Sequence, residues 1–272
     1  MKNISIVLIV HFLIDFRFRN TNNYFGKFRC EDIEFDYCPR SSKGPHNWGN
    51  LRPEWAIVND GLEQSPIDIS NDHVKIVENT DNLQINYKPG NAILRNRGHD
   101  IQLAWEGDGG SVKINGEDYV LVQCHWHSPS EHTIDGKKFA LEQHCVHQRT
   151  DPTTGISTIA VIGILFDVGE SQPFLTELEE PIKIITSEST NEVDIGLVDA
   201  TDINISSAKY YRYMGSLTTP SCSEGVIWTI DGKVQTASIV QIELLKNAVQ
   251  DFARDNARPL QPLNARDVFL YK

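Results

Sequence analysis

From residue 83 onward, apolar and polar residues alternate over short stretches that end in turn residues. The stretches at 83–87, 92–95, 101–105, 112–114, 119–127, 139–147, 158–166 and 225–230 each have strand length and period, with breaks at Pro89-Gly90, Gly109-Gly110 and Asn115-Gly116. This spacing predicts a large antiparallel sheet. Two stretches read as helices instead. Residues 173–180 open with Pro173, and in 238–256 Ser238 can cap a run that places Ile239, Ile242, Leu245, Val249 and Phe252 at helical spacing. Between residues 34 and 67 the chain is rich in Gly, Pro, Asn and Trp and reads as turn-rich coil, with Trp48 and Trp55 as its buried anchors. No internal repeat or low-complexity tract interrupts the pattern.

The first 33 residues differ from all that follows. Lys2 precedes an apolar run at 4–14, broken by His11, which has the length of a signal-peptide core and is too short to span a bilayer. Residues 1–33 are therefore expected to be a leader or tail, and residues 34–272 one domain. The stretch 15–29 contains no small-residue cleavage pattern and carries Arg17, Arg19, Lys27 and Arg29. A hydrophobic content of 40% with 23% charged residues is ordinary for a folded domain. The net charge of −12, with no stripe of basic and aromatic residues, argues against a nucleic-acid partner. Cys30, Cys38, Cys124, Cys145 and Cys222 form no CxxC pair and do not fix a redox compartment.

His125-Trp126-His127 lies in a strand-like run, so both imidazoles point to one face. Downstream, Asp135-Gly136 is a strong two-residue hairpin signal, and pairing outward from that turn sets His127 opposite His144. Opposed side chains start about 4.5–5.5 Å apart, within reach of a shared ion. Three imidazoles on one hairpin face make a catalytic zinc set with an open fourth position, whereas a structural site would be closed by a fourth ligand. Such an ion lowers the pKa of water to about 7 and so makes a hydroxide nucleophile. Gln123 shares the face of His125, and Glu142 that of His144, where each can accept the free ring N–H. Cys124 and Cys145 fall on the opposite face as core thiols. A lone His-x-His is more often an ordinary pair of polar residues on a half-exposed sheet; the third histidine and the two acceptors favour the metal.

These residues sit within longer stretches that resemble the alpha-class carbonic anhydrases, in particular plant-type, dioscorin-related members. The stretches are Gly-Pro-His-Asn-Trp-Gly at 44–49, Gln-Ser-Pro-Ile-Asp-Ile at 64–69, Gly-His-Asp at 98–100 and Gln-Cys-His-Trp-His-Ser-Pro-Ser-Glu-His-Thr at 123–133. Further along come Leu-Glu-Gln-His-Cys-Val-His at 141–147, Tyr-Tyr-Arg-Tyr-Met-Gly-Ser-Leu-Thr-Thr-Pro at 210–220 and Asn-Ala-Arg-Pro-Leu-Gln-Pro at 256–262. The resemblance implies a mainly β fold, a large twisted, mostly antiparallel sheet with short peripheral helices, and a conical cleft with Zn2+ at its base. It implies reversible hydration of carbon dioxide to bicarbonate, and sulfonamides or anions as inhibitors.

The resemblance also assigns roles. His125, His127 and His144 match the zinc ligands, and Gln123 and Glu142 match the acceptors inferred from strand parity. Thr218 looks like the residue that accepts from zinc-bound hydroxide and donates to Glu131, with its backbone N–H on a substrate oxygen. Val146, Val161, Leu217, Thr218, Thr219 and Trp228 match the substrate site. His99 aligns with the proton shuttle, a task suited to an unperturbed pKa near 6.5. Without the family, His99 would read as a surface loop residue, Glu131 as a solvated charge and Thr218 as a turn residue.

The chain departs from the family pattern at several points. Val58 stands where secreted members carry the cysteine that pairs with the position of Cys222, leaving Cys222 free or paired with Cys38 or Cys30. Ser221 replaces a second proline, and Arg97 and Gln102 flank the shuttle, where the charge of Arg97 is expected to lower the pKa of His99. The family implies a secretory route, extracellular or plastid, in which Asn204-Ile-Ser is a glycosylation acceptor. A non-catalytic storage or binding protein on the same fold is the alternative. A zinc peptidase is disfavoured by the lack of a helical H-E-x-x-H.

Overall fold

The computed structural model describes residues 34–78, 83–187, 190–206 and 208–272. The expected leader, Cys30 and the Asn3 sequon lie outside the described residues. Among those residues thirteen strands join one sheet. Its central path runs Pro89–Asn96, Ile101–Trp105, Glu117–His127, Leu141–Thr150, Ser157–Val168, Glu224–Asp231 and Tyr210–Ser216. Neighbours are antiparallel except where Ser157–Val168 meets Glu224–Asp231 and Gln235–Ala237, and where Phe269–Tyr271 meets Lys75–Val77. The alternating pattern located the central strands other than Tyr210–Ser216. It missed Lys75–Val77, Glu192–Asp199 and Phe269–Tyr271, because short or edge strands need bury only part of one face and carry a weak period, and it missed Tyr210–Ser216, which buries residues on both faces and so does not alternate.

Two layers of core hold the sheet. On one face, Cys124, Trp126, Cys145 and Ile162 pack with Phe174, Leu178, Ile182, Ile242 and Leu245 from two helices. The first helix, Pro173–Ser187, runs on through Pro181 because Ile182 and Ile185 continue its buried stripe. Tertiary burial thus outweighs the local signal that placed its end earlier. The second, Ile239–Ala248, starts at a capping box between Ser238 and Gln241 and is shorter than the periodicity suggests. Val249 turns extended, and a separate 3-10 turn, Asp251–Ala253, follows.

On the opposite face, Ile67, Val161, Tyr213, Val226, Trp228 and Ile230 form the second layer. The N-terminal coil adds Tyr37 and Trp48, which pack with Cys222 and Ala253, with Val58 against them. Trp48 and Trp55 are buried, as the coil's composition suggests. Cys222 is a free thiol within that cluster.

The hairpin carrying the histidines is built in two steps. Asp135 and Gly136, at φ 49° and 73°, make the tight turn, and Thr133 pairs Lys138 in the register that turn sets. The irregular segment 128–132 then leaves the ladder. When pairing resumes, His144 lies opposite His125, and Glu142 opposite His127. The expected His127–His144 pairing is therefore corrected by two residues. An even shift preserves strand parity, so all three imidazoles remain on one face.

Candidate metal centre

His125 and His127 come from the last turn-facing positions of Glu117–His127, and His144 comes from Leu141–Thr150 beside it. All three are buried. Each ring is oriented by a bond at its far nitrogen. His125 Nδ1 donates to Gln123 Oε1 at 2.9 Å, His127 Nδ1 to the Asn256 carbonyl at 2.8 Å, and His144 Nε2 to Glu142 Oε1 at 2.8 Å. These acceptors hold no proton to offer, so in its neutral form each ring presents an unprotonated nitrogen on its other side.

Those nitrogens, His125 Nε2, His127 Nε2 and His144 Nδ1, face a common point, with His144 Nδ1 only 3.3 Å from His125 Nε2. Two lone pairs at that distance repel, and His127 Nε2 is buried with no hydrogen-bond partner. A tetrahedral ion with nitrogen ligands at about 2.0–2.1 Å separates those ligands by about 3.3 Å. The donor set therefore fits zinc. Burial pushes the pKa of His125 and of His144 below the ordinary imidazole value, which keeps both rings neutral and able to ligate.

Glu142 does more than orient His144. Burial opposes its ionisation, but His132 and His144 outweigh that effect and hold its carboxyl well below the usual range. Its Oε1 also meets His132 Nδ1 at 2.7 Å, and Oε2 accepts the backbone N–H groups of Glu131 and His132 at 2.8 Å. His132 continues through its Nε2 to the Tyr213 hydroxyl at 2.6 Å, which meets Ser65 Oγ at 2.8 Å. Gly163 lies opposite His144. A Cβ there would come within 3.1 Å of Glu142 Oε1 and 2.7 Å of Ile230 Cδ1, so any larger residue would press on this pair.

Glu131 is fully buried, with Oε1 accepting the Arg258 backbone N–H at 2.9 Å. Its Oε2 lies 3.6 Å from His127 Nε2 and has no hydrogen-bond partner. Thr218 is buried on the loop after Tyr210–Ser216, but no bond joins it to Glu131 in this structure. Val146, Val161 and Trp228 are successive partners across three strands, and the Trp228 ring sits 4.8 Å from that of His144. Leu217 packs against the same cluster. Thr219 follows on the loop, where its carbonyl accepts the Cys222 N–H at 2.8 Å.

His99 departs from a free shuttle. Its side chain is 21% exposed, its ring lies 5.1 Å from that of Phe35, and Asp100 is 3.7 Å away. Burial pushes its pKa down to about 4; Asp100 works against this, and Arg97 acts only after those two. Arg97 therefore acts in the expected direction, with burial the larger cause. That guanidinium forms a two-point pair with the buried Asp100 carboxylate.

Sequence reasoning missed Asn256, Arg258, His132 and Tyr213. Asn256 accepts from His127 through its carbonyl and from the Ser128 N–H through Oδ1, and its Nδ2 donates to the carbonyls of His99 and Trp126. Backbone acceptors leave no residue-type signal, so no sequence pattern points to them.

The sequence matches the family described as eukaryotic-type carbonic anhydrase over residues 43–272. It is 46% identical over 242 residues to alpha carbonic anhydrase 7 of Arabidopsis thaliana, covering 89% of this chain and 86% of that protein. A crystal structure of dioscorin complexed with ascorbate superposes with a TM-score of 0.85 at 44% identity, covering 88% of this chain and 98% of that one. The alpha-carbonic anhydrase of Thermovibrio ammonificans, in complex with the inhibitor sulfanilamide, gives a TM-score of 0.75 at 35% identity over 86% of this chain and 98% of that one. With the same fold, and with three imidazoles converging where the sheet buries them, the chain belongs to the alpha carbonic anhydrase family.

Proposed function

We propose that this protein catalyses the reversible hydration of carbon dioxide to bicarbonate and a proton, with zinc held by His125, His127 and His144. The observation that carries this reading is the convergence of three unprotonated ring nitrogens, each fixed by an acceptor on its other side. When bound, zinc supplies the Lewis acidity that lowers the pKa of water toward about 7.

The protein's own groups set direction and selectivity. The Thr218 hydroxyl, turned to donate to the open Oε2 of Glu131, can then only accept from the attacking oxygen, which aims a lone pair at the substrate carbon. The Thr218 backbone N–H holds a substrate oxygen, and Thr219 borders it. Val146, Val161, Leu217 and Trp228 make a dry wall that favours a small uncharged substrate over water. The His99 imidazole relays the proton outward, at a disadvantage set by its burial. Sulfonamides and anions are the expected inhibitors, binding at the same nitrogen-lined point.

Stopped-flow hydration of carbon dioxide with and without a sulfonamide, beside His127→Ala, tests this reading. Activity is expected in the parent alone and is expected to vanish with the inhibitor. Hydration that survives the substitution or ignores the inhibitor overturns it. An inactive parent that still binds zinc favours the alternative, a storage or binding protein on this fold, as its likeness to dioscorin allows. The reading also includes passage through the secretory route, where the exposed Asn204 of Asn204-Ile-Ser would be glycosylated.

A further inference from the structure

Cys124 and Cys145 are directly paired residues of the two strands that bear the histidines. Both are fully buried on the face away from the imidazoles, and neither has a part in the proposed reaction. Their sulfurs lie 3.1 Å apart, closer than two thiols in plain van der Waals contact. Gln143 Nε2 donates to the Cys145 sulfur at 3.4 Å and holds it in place. Opposed residues of antiparallel strands have Cα atoms about 4.5–5.5 Å apart, within the range a disulfide requires. Closing a bond of about 2.05 Å asks the sulfurs to move by roughly 1 Å.

We propose that Cys124 and Cys145 form a dithiol–disulfide site that staples the two ligand strands together directly behind the metal centre. The loop so closed contains His125, His127, Glu131, Glu142 and His144. The oxidant is a small-molecule disulfide. One cysteine displaces half of it and forms a mixed disulfide; the second cysteine then attacks that bond. Each protein sulfur is oxidised by one electron, the small disulfide accepts both electrons, and the two thiol protons leave on the two small thiols released. Because both sulfurs are buried, exchange occurs while the chain folds or when the strands part, and the state then persists. The closed form keeps the imidazoles at their spacing whether or not metal is present. This inference rests on strand register and holds whatever reaction the site performs.

The test refolds the full chain with zinc, once in a mixture of glutathione disulfide and glutathione and once in excess reductant. Both samples are then denatured, alkylated and digested with trypsin. Cleavage after Lys137 and Lys138 places the two cysteines in different peptides, so a bond between them yields a linked pair. We expect the linked pair from the oxidised sample and two alkylated peptides from the reduced one. We also expect zinc transfer to a chelator to be several-fold slower from the oxidised form, and Cys124→Ser to remove both differences. If both cysteines are recovered alkylated from oxidised, natively folded protein, or if either is bonded to Cys30, Cys38 or Cys222 instead, the site is refuted. Equal rates of zinc loss from the two forms refute the staple. The mapping uses the unaltered chain and does not depend on the variant folding.

Discussion

Replacing Phe35 by Ala should free the His99 ring and raise its pKa. In the parent that pKa lies at about 4. At pH 7 only about one ring in a thousand then carries a proton, against about one in four at the unperturbed value near 6.5. The difference corresponds to about 3–4 kcal/mol, since one step in pKa is worth about 1.4 kcal/mol. Phe35 covers one side of the ring at 5.1 Å, so its removal readmits water to a side chain now 21% exposed. The Asp100 carboxylate, 3.7 Å away, then favours the imidazolium further. A rise of at least about one in pKa is expected, and turnover in dilute buffer should increase as proton release becomes easier. Arg97→Ala should act in the same direction, because it removes a cation and leaves Asp100 unpaired. NMR titration of the His99 Cε1 proton measures both effects. A parent value near 6.5, or a value that moves in neither variant, would refute the burial argument.

Glu142→Gln keeps the side-chain size and removes the charge that orients His144 and His132. Zinc affinity should fall about 10–100-fold, as read by competition with a chromogenic chelator, and unchanged affinity would count against the tautomer assignment. Stability should also fall in mild acid. His99 and His147 are both held neutral by burial, with pKa values pushed down to about 4. Above about pH 6.5 neither the folded nor the unfolded chain protonates them; between about 6.5 and 4 the unfolded chain binds protons that the folded one refuses. Stability therefore falls as pH drops through that window, by about 2 kcal/mol per ring at pH 5. Urea unfolding at pH 7 and pH 5 measures the loss. His147→Gln should lose less than the parent over the same interval, and equal losses would remove His147 from the account.

Strand parity is a property of the backbone alone. A period of two places His125 with His127 and Gln123, and His144 with Glu142, without any knowledge of how the strands meet. The three converging imidazoles and two of their three hydrogen-bond acceptors were therefore legible from the sequence. Residues such as Glu131, Thr218 and His99 carry no local signature, and only their resemblance to a family marked them out.

Register, burial and backbone acceptors belong to the tertiary structure. The turn at Asp135-Gly136 sets the local pairing, but the irregular residues 128–132 between it and the ligand strand reset the ladder by two. The acceptor for His127 is a carbonyl 129 residues away in sequence, and the Arg258 N–H reaches Glu131 across 127. His99 is shielded by an aromatic ring from the N-terminal coil. Each of these depends on which distant segments come to lie together, so the sequence by itself determined the donor atoms and the face they share. Only the packed chain decided their spacing, their protonation and what surrounds them.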